Sequence, residues 1–488
     1  MMTTAGAQRV LTLDSCRALA LRNNKQLAVS RVKQEVAANI RKAARTKYLP
    51  HVNALGGYEW TSREISLLSD EQKEKFSNLG STIAGDIQTK AADFMQTVSP
   101  AQWQALGQLG ITPQVLQQNL SSGLQDMAGL LNAGGQRLVN ALSSDTRNMF
   151  AGAIMLTQPV FMGGAIIAMN KMADIAELLA ANSAEGKLQS TLYNIDQAYW
   201  QVVSLRHKQK LAQSYLELVK KFDGDVQKMI EEGVATRSQG LSVRVKVNEA
   251  EMTLTKVNDG LVLSKMLLCQ LCGLPVSEQV TLVDENTENL SSEPALVPQI
   301  SMEQVASNRP ELKMLQNVVD LSKQTTRILK AGNLPQVLLT GGYAVSNPNL
   351  YNGFQHKFTG VWNVGVMMRV PIWNWGDVAY KVRASKGATA IASLELDEAR
   401  EKIELQVNQS AFRVNEANKK LEMAKTSTLQ ADENLRTANV GFAEGVISPS
   451  TVLEAQTAWL QAQSQKIDAE IDVKMSQVNL QKALGTLQ

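Results

Sequence analysis

Apolar and polar residues alternate in four short stretches of the chain and step at helical spacing through most of the rest. Val52, Ala54, Gly56, Tyr58 and Trp60 form one face of a predicted strand, and Val337, Leu339, Gly341, Tyr343 and Val345 form the equivalent face of another. Phe150, Gly152, Ile154 and Leu156 mark a third. The fourth is the clearest, with Trp362, Val364, Val366, Met368 and Val370 set against Thr359, Asn363, Gly365 and Arg369. A period of two with aromatic residues near the strand ends describes a sheet with one apolar and one wet face. Strands of about ten residues suit a tilted membrane barrel. They suit equally a soluble sheet laid on a core.

After Pro159 and Pro371 the period becomes helical. Leu188, Leu192, Ile195, Tyr199 and Val202 step by four and three, as do Ile403, Val407, Ser410, Val414, Ala417, Leu421 and Ala424, which makes heptad seams. No proline interrupts 164–231 or 376–443, 68 residues each, enough for helices about 100 Å long. Each run ends at a turn, Glu232-Gly233-Val234-Ala235-Thr236 or Glu444-Gly445-Val446-Ile447-Ser448. The glycine fits the position just beyond a helix C-terminus, and Ser448-Pro449 fits an N-cap followed by the first helical residue. A shorter helix then returns to Gly273 or Gly485, the second with Leu453, Leu460 and Ile467 at seven-residue spacing.

These elements occur twice. Leu49-Pro50 and Gly56-Gly57-Tyr58 return as Leu334-Pro335 and Gly341-Gly342-Tyr343 at a shift of 285, and Asn24-Lys25-Gln26-Leu27 aligns with Arg309-Pro310-Glu311-Leu312 at the same shift. Pro159, Gly164, Trp200, Glu232-Gly233-Val234 and Gly273 return as Pro371, Gly376, Phe412, Glu444-Gly445-Val446 and Gly485 at a shift of 212, so the first copy carries 73 extra residues. The predicted organisation is a helix at 1–48, a strand hairpin at 49–160 with an insertion at about 61–147, and a long helical hairpin at 161–273. A connection at 274–300, with its prolines among Ser, Glu and Asn, reads as a surface loop. Repeat two follows as a helix at 301–333, a strand hairpin at 334–372 and a helical hairpin at 373–488. In the insertion, Ser99-Pro100 and Thr112-Pro113 read as helix starts. Leu116, Leu120, Leu124, Met127 and Leu131 make an apolar stripe there, broken into short helices by Gly107, Gly110, Gly134 and Gly135.

Composition narrows the function. Of 488 residues, 44% are hydrophobic and 19% charged, and the net charge of +3 comes without a long basic run, which gives no electrostatic ground for nucleic acid. No apolar stretch reaches the roughly 18 to 20 residues of a membrane-spanning helix, so any membrane is crossed by strands. Ala5-Gly6-Ala7 has the small-x-small form of a leader cleavage site without the basic and apolar regions that precede one. Cys269 and Cys272 form a CxxC, but their repeat-two counterparts are Gln481 and Leu484. No second CxxC or His pair completes a metal shell, so they read, with Cys16, as packing residues. No nucleophile–base pairing, metal cluster or phosphate loop is evident, and the Gly-Gly pairs at 56–57, 163–164 and 341–342 lack nucleotide-motif spacing. Neither an enzyme nor a cofactor is expected.

Four strands cannot close a barrel, and an open edge is not viable in lipid, so a membrane sheet here requires oligomerisation. The element order, the duplication, the Leu-Pro and Gly-Gly-Tyr strand starts and the closing Ala483-Leu484-Gly485-Thr486-Leu487 resemble the TolC-like outer-membrane efflux proteins over nearly the whole chain except about 61–147. The resemblance implies an internally duplicated α+β membrane protein. It would be a homotrimer whose 12-stranded β-barrel in outer-membrane lipid continues into a long periplasmic α-helical barrel, with the insertion extracellular. It further implies a Gram-negative outer membrane and the exit duct of a tripartite efflux pump or type I secretion system. Such a duct passively conducts cargo after a periplasmic adaptor, linked to an inner-membrane transporter, opens it. On that resemblance Gly233, Val234, Ala235, Thr236, Gly445, Val446, Ile447 and Ser448 are adaptor-contact tips. A well-known member of that family closes its entrance with tyrosine, arginine and aspartate. Here the tyrosine and arginine positions hold Phe442 and Ile447 and the two acidic positions hold Thr451 and Glu454, of which only Glu454 keeps the charge, so that member's gate bonds do not carry over. A ring of Glu454 carboxylates favours cations by the logic of charged pore rings; an exposed-face glutamate is the plain alternative. A surface adhesin working through the insertion and a soluble coiled-coil scaffold are the competing classes.

Overall fold

The fold is that of a computed structural model, which describes residues 9–60, 78–96, 114, 123–125, 127–134, 137, 148–287, 290, 294–347 and 357–487. The Ala5-Gly6-Ala7 site and the insertion's Pro100, Gly107, Gly110, Pro113, Leu116, Leu120 and Gly135 lie outside the described residues. In chain order the elements are β1 (Arg9–Leu11), α1 (Leu13–Asn23), α2 (Lys25–Arg45), β2 (His51–Trp60), α3 (Leu79–Gln96), β3 (Asn148–Met162), α4 (Ala165–Glu231) and α5 (Arg237–Cys272). They continue with β4 (Val280–Leu282), α6 (Met302–Asn308), α7 (Pro310–Ala331), β5 (Gln336–Asn347), β6 (Thr359–Arg369), α8 (Asp377–Ala443) and α9 (Pro449–Leu484). Helices α4 and α8 have 67 residues each and α5 and α9 have 36 each. Every one of their ends repeats at the 212-residue shift, so the duplication written in the sequence is kept residue for residue in the helical hairpins.

The chain divides into two compact units. One, Glu35–Leu179 with Leu315–Leu396, contains an antiparallel sheet in the order β2-β3-β5-β6. Its register pairs Tyr58 with Phe150, Ile154 with Tyr343 and Tyr343 with Trp362. Residues directly opposite one another share a face, so this register gathers the four apolar sets predicted separately onto a single face. The ladder shifts between Pro159 and Phe161, where proline cannot donate a hydrogen bond. Among the described residues the sheet is open, with β2 and β6 as its edges. Helix α2 is tied to α4 by Arg41, whose guanidinium binds Asp174 at 2.6 Å and Glu177 at 2.8 Å. In repeat two, hydroxyl pairs between α7 and α8, Ser322 with Thr389 and Thr326 with Ser385, each at 2.7 Å, take that place.

The other unit, Met1–Gln34 with Ala180–Met314 and Asp397–Gln488, is helical. All the predicted seam residues of α8 from Ile403 to Ala424 are buried, as are Leu192, Ile195, Tyr199 and Val202 of α4. In α9 the seam differs from the expectation. Leu453 is buried but Leu460 and Ile467 are only half-buried. The fully covered line is Val452, Ala455, Ala462, Ala469, Val473, Ser476, Leu480 and Ala483. Small side chains let the neighbouring helix approach closely, so the seam lies along the alanines and the larger residues flank it.

The 274–300 connection is not the surface loop its prolines suggested. Residues 280–282 pair in parallel with 9–11, and Val280, Leu282, Leu290 and Ala295 are buried. Its polar groups find partners on the helices. The Tyr199 hydroxyl donates to Asp284 at 2.5 Å, and the Lys210 ammonium donates to the Glu285 carbonyl at 2.9 Å. Lys265 pairs with the buried Glu285 carboxylate at 2.9 Å. Buried charges persist when paired and hydrogen-bonded in this way. Cys16, Cys269 and Cys272 are free, buried and part of the same core, as the packing reading expected.

Candidate functional site

Two features of the molecule face outward with chemistry to spare: the turns between the long and short helices, and the apolar face of the sheet.

Each turn is a Schellman motif, in which a left-handed residue lets the last carbonyls of the helix be bridged. At the first, Gly233 N donates to Ile230 O at 3.1 Å and Val234 N to Met229 O at 2.8 Å. At the second, Gly445 N donates to Phe442 O at 3.0 Å and Val446 N to Gly441 O at 2.8 Å. Both glycines have φ of 73°. The following helices are capped differently. Thr236 forms a full capping box with Gln239, whereas Ser448 accepts from Thr451 N with Pro449 in the first turn. Bonded so completely, each turn has a fixed backbone and still presents one large apolar side chain to solvent, Val234 (71% exposed) and Val446 (82%).

The turns close one shared core. Val219, Phe222 and Val226 of α4, Val243 of α5, Leu435 and Ala438 of α8 and Val452 and Ala455 of α9 are buried together there. Phe442 and Ile447, two of the positions singled out in the sequence, pack against that core, and the Phe442 ring lies 4.9 Å from Phe222 at a tilt of 59°. Ile447 also presses on Gly441, where a Cβ would meet its Cδ1 at 2.6 Å. Thr451 is exposed, its hydroxyl 3.1 Å from that of Ser448. Glu454 is exposed and makes no ion pair or hydrogen bond among the described residues. Ala235, Thr236 and Ser448 complete the two turns. Two nearby residues escaped sequence reasoning. Phe222 looked like any core aromatic, although it is the partner of Phe442. Gln456 is fully buried with neither amide atom bonded to protein, and the signal was a polar residue one helical turn from Val452 on the buried face.

The sheet face is the second feature. On edge strand β6, Trp362 is 75%, Val364 68%, Val366 70% and Met368 66% exposed. Val52, Tyr58, Trp60, Phe150, Ile154 and Tyr343 extend the same exposed face across the other strands. Aromatic rings gather at both ends: Tyr58 with Phe150 at 4.5 Å and Phe150 with Phe358 at 5.7 Å at one, Trp373 with Trp375 at 5.7 Å just past the end of β6 at the other. An exposed, continuous apolar patch of this kind marks an interaction surface, and aromatic girdles flanking an apolar band are the pattern of a membrane barrel. Among the described residues no helix is long and apolar enough to cross a membrane, and no cluster of three or more His, Cys, Asp or Glu residues is arranged to hold a metal ion.

Comparison with known proteins agrees with this geometry. Residues 302–486 match the family model described as outer membrane efflux protein. The chain is 20% identical to the outer membrane protein TolC of Escherichia coli strain K12 over 450 residues, 89% of this chain and 85% of that protein. Its fold resembles the crystal structure of CusC, with a TM-score of 0.71 and 14% identity over 99% of this chain and 95% of the other. It also resembles the outer membrane protein VceC of Vibrio cholerae, with a TM-score of 0.70 and 12% identity over 97% of this chain and 96% of the other. The fold is therefore that of the outer-membrane channels, a helical part with a β-domain.

Proposed function

We propose that this chain, a relative of the TolC-like outer-membrane factors, is an efflux duct of a Gram-negative outer membrane that conducts cargo passively to the exterior. The observation that carries the reading is the single apolar face shared by four strands whose two edges are unpaired among the described residues. Such a sheet is viable in lipid only when other copies pair its edges. Three chains of four strands would close a 12-stranded barrel, the long helical hairpins would extend into the periplasm, and the insertion between β2 and β3 would emerge outside the cell. The insertion leaves the strand hairpin at the end opposite the helices, which favours an extracellular cap or vestibule.

In this reading the two turns are adaptor-docking tips of a tripartite pump or type I secretion system, with Val234 and Val446 as apolar anchors on rigid backbones. No bond chemistry is involved. An adaptor, itself linked to an inner-membrane transporter, opens the duct by binding the open state more tightly than the closed one. Phe442 and Ile447 are engaged in core packing, so the tip opens by moving helices rather than by breaking polar bonds at those positions. Thr451 and Glu454 remain the exposed candidates for the entrance lining, with the three Glu454 carboxylates of a trimer as a cation-favouring ring.

Removal of the protein from its host should raise cellular retention of an exported dye, and the wild type should restore export. Val446→Asp should assemble normally in the outer membrane and fail to restore it. If the assembled wild type leaves export of dyes, detergents and proteins unaltered, the duct reading is wrong.

A further inference from the structure

Three thiols lie in one core of the helical unit, and one of them, Cys272, lies against Cys16. The Cys272 Sγ points at the backbone of α1, 3.7 Å from the Cys16 carbonyl oxygen. Both side chains are fully buried. The Cys269 Sγ faces elsewhere, 3.7 Å from the Glu278 carbonyl, so the CxxC spacing does not pair its own two cysteines. α1 is held against α5 next to this contact by the Asn24 amide, which donates to the Leu271 carbonyl at 3.0 Å. Parallel pairing of β1 with β4 fixes the chain entering α1 from the other side.

We propose that Cys16 and Cys272 form a disulfide in the mature protein, joining α1 to the last turn of α5, while Cys269 stays a free thiol. The inference rests on the outer-membrane reading, because a helical unit in the periplasm folds in an oxidising compartment, where disulfides form and persist. The oxidant is a thiol oxidase of that compartment carrying a reactive disulfide. One cysteine thiolate attacks that disulfide and forms a mixed disulfide, and the second displaces the oxidase sulfur. The two thiol protons and two electrons pass to the oxidase, which leaves as a dithiol. The exchange occurs before α1 docks, since both side chains are fully buried in the folded protein and the site is closed to a protein oxidant. The link belongs to repeat one alone, because the matching positions of repeat two hold Ser301 and Leu484. It would therefore cross-link repeat one and leave repeat two without a covalent tie at the matching place.

The full-length protein would be isolated from fractionated cells with thiols blocked at lysis, digested without reductant and mapped by mass spectrometry. The expected result is a peptide linking Cys16 to Cys272, with Cys269 fully alkylated. Cys16→Ser and Cys272→Ser should each abolish the linked peptide and free the other cysteine for alkylation, whereas Cys269→Ser should retain it. Outer-membrane protein with all three cysteines alkylated, or with Cys269 joined to Cys272, overturns the disulfide and leaves the duct reading standing. Linked protein absent from the outer membrane sustains the pairing and overturns the duct reading. Protein that is neither linked nor in that membrane overturns both.

Discussion

Asn24 and Arg309 occupy the same place in the two repeats and meet it with different chemistry. The Asn24 amide donates to Leu271 O while its carbonyl accepts from Gln26 N and Leu27 N, so one neutral side chain closes α5 and starts α2. The buried Arg309 donates to Lys482 O at 3.1 Å and Ala483 O at 3.0 Å and pairs with Glu311, placing a cation at the negative end of α9. His207 is the residue whose charge state matters near neutral pH. It donates through Nε2 to the Asp284 carbonyl at 3.2 Å, and burial, with Lys210 and Arg206 nearby, lowers its pKa against the opposing pull of the Asp284 carbonyl and carboxylate. The fold thus favours neutral His207, and the unfolded chain binds the proton more readily. Its contribution to stability is complete above about pH 6.5 and is lost as pH falls from there through the folded pKa. Glu470, whose pKa burial raises, acts with the opposite sign on acidification, so the difference between two proteins is the clean readout. The melting temperature of the wild type should fall further than that of His207→Gln between pH 7.5 and 5.5. Parallel pH profiles would show that this ring is not what titrates.

At the level of elements, four helix ends carry a left-handed glycine, and their surroundings differ. A Cβ at Gly233 or Gly445 meets nothing within 4 Å, whereas at Gly273 it would strike Asn23 at 2.6 Å and at Gly485 the backbone of Asn308 at 3.0 Å. Alanine at either tip should therefore cost only the conformational penalty, about 1–2 kcal/mol. Alanine at either return end should cost more, because a backbone must also shift, and thermal melts of the four variants would display that order. These glycines, the caps and the 67-residue helices were legible in the sequence because each follows from local chemistry repeated at a fixed shift. The sheet faces were legible for the same reason, as a period of two needs no knowledge of partners. What escaped was set by tertiary context. Val280–Leu282 is too short to announce a strand until Arg9–Leu11 lies beside it. The alanine seam of α9 is invisible to a search for large apolar residues. Phe222 and Gln456 acquire meaning only from what packs around them, and the docking and entrance roles proposed for the turn residues came from family likeness rather than from spacing.

For the whole molecule, the decisive fact is an imbalance between strands and edges. Among the described residues one chain supplies four strands to this sheet, and single-chain membrane barrels begin at about eight. β2 and β6 each expose a row of backbone donors and acceptors that lipid cannot satisfy. A soluble protein could leave those edges in water, but it would then expose Trp362, Val364, Val366 and Met368 as well, a surface prone to edge-to-edge aggregation. Joining β6 of one copy to β2 of the next removes both edges and places the apolar face against lipid in the same step. The seams and exposed apolar residues of α5 and α8, such as Leu263 and Phe412, would then find neighbours around the ring. The number of copies is the quantity to measure, by light scattering on protein extracted from membranes in mild detergent and corrected for bound detergent. Three chains of 53.3 kDa should give about 160 kDa, stable to dilution because opening one strand junction in lipid would expose a full row of unpaired backbone groups. A water-soluble species of one chain's mass, absent from the membrane fraction, would mean that the sheet is covered by something other than lipid and that the duct does not exist.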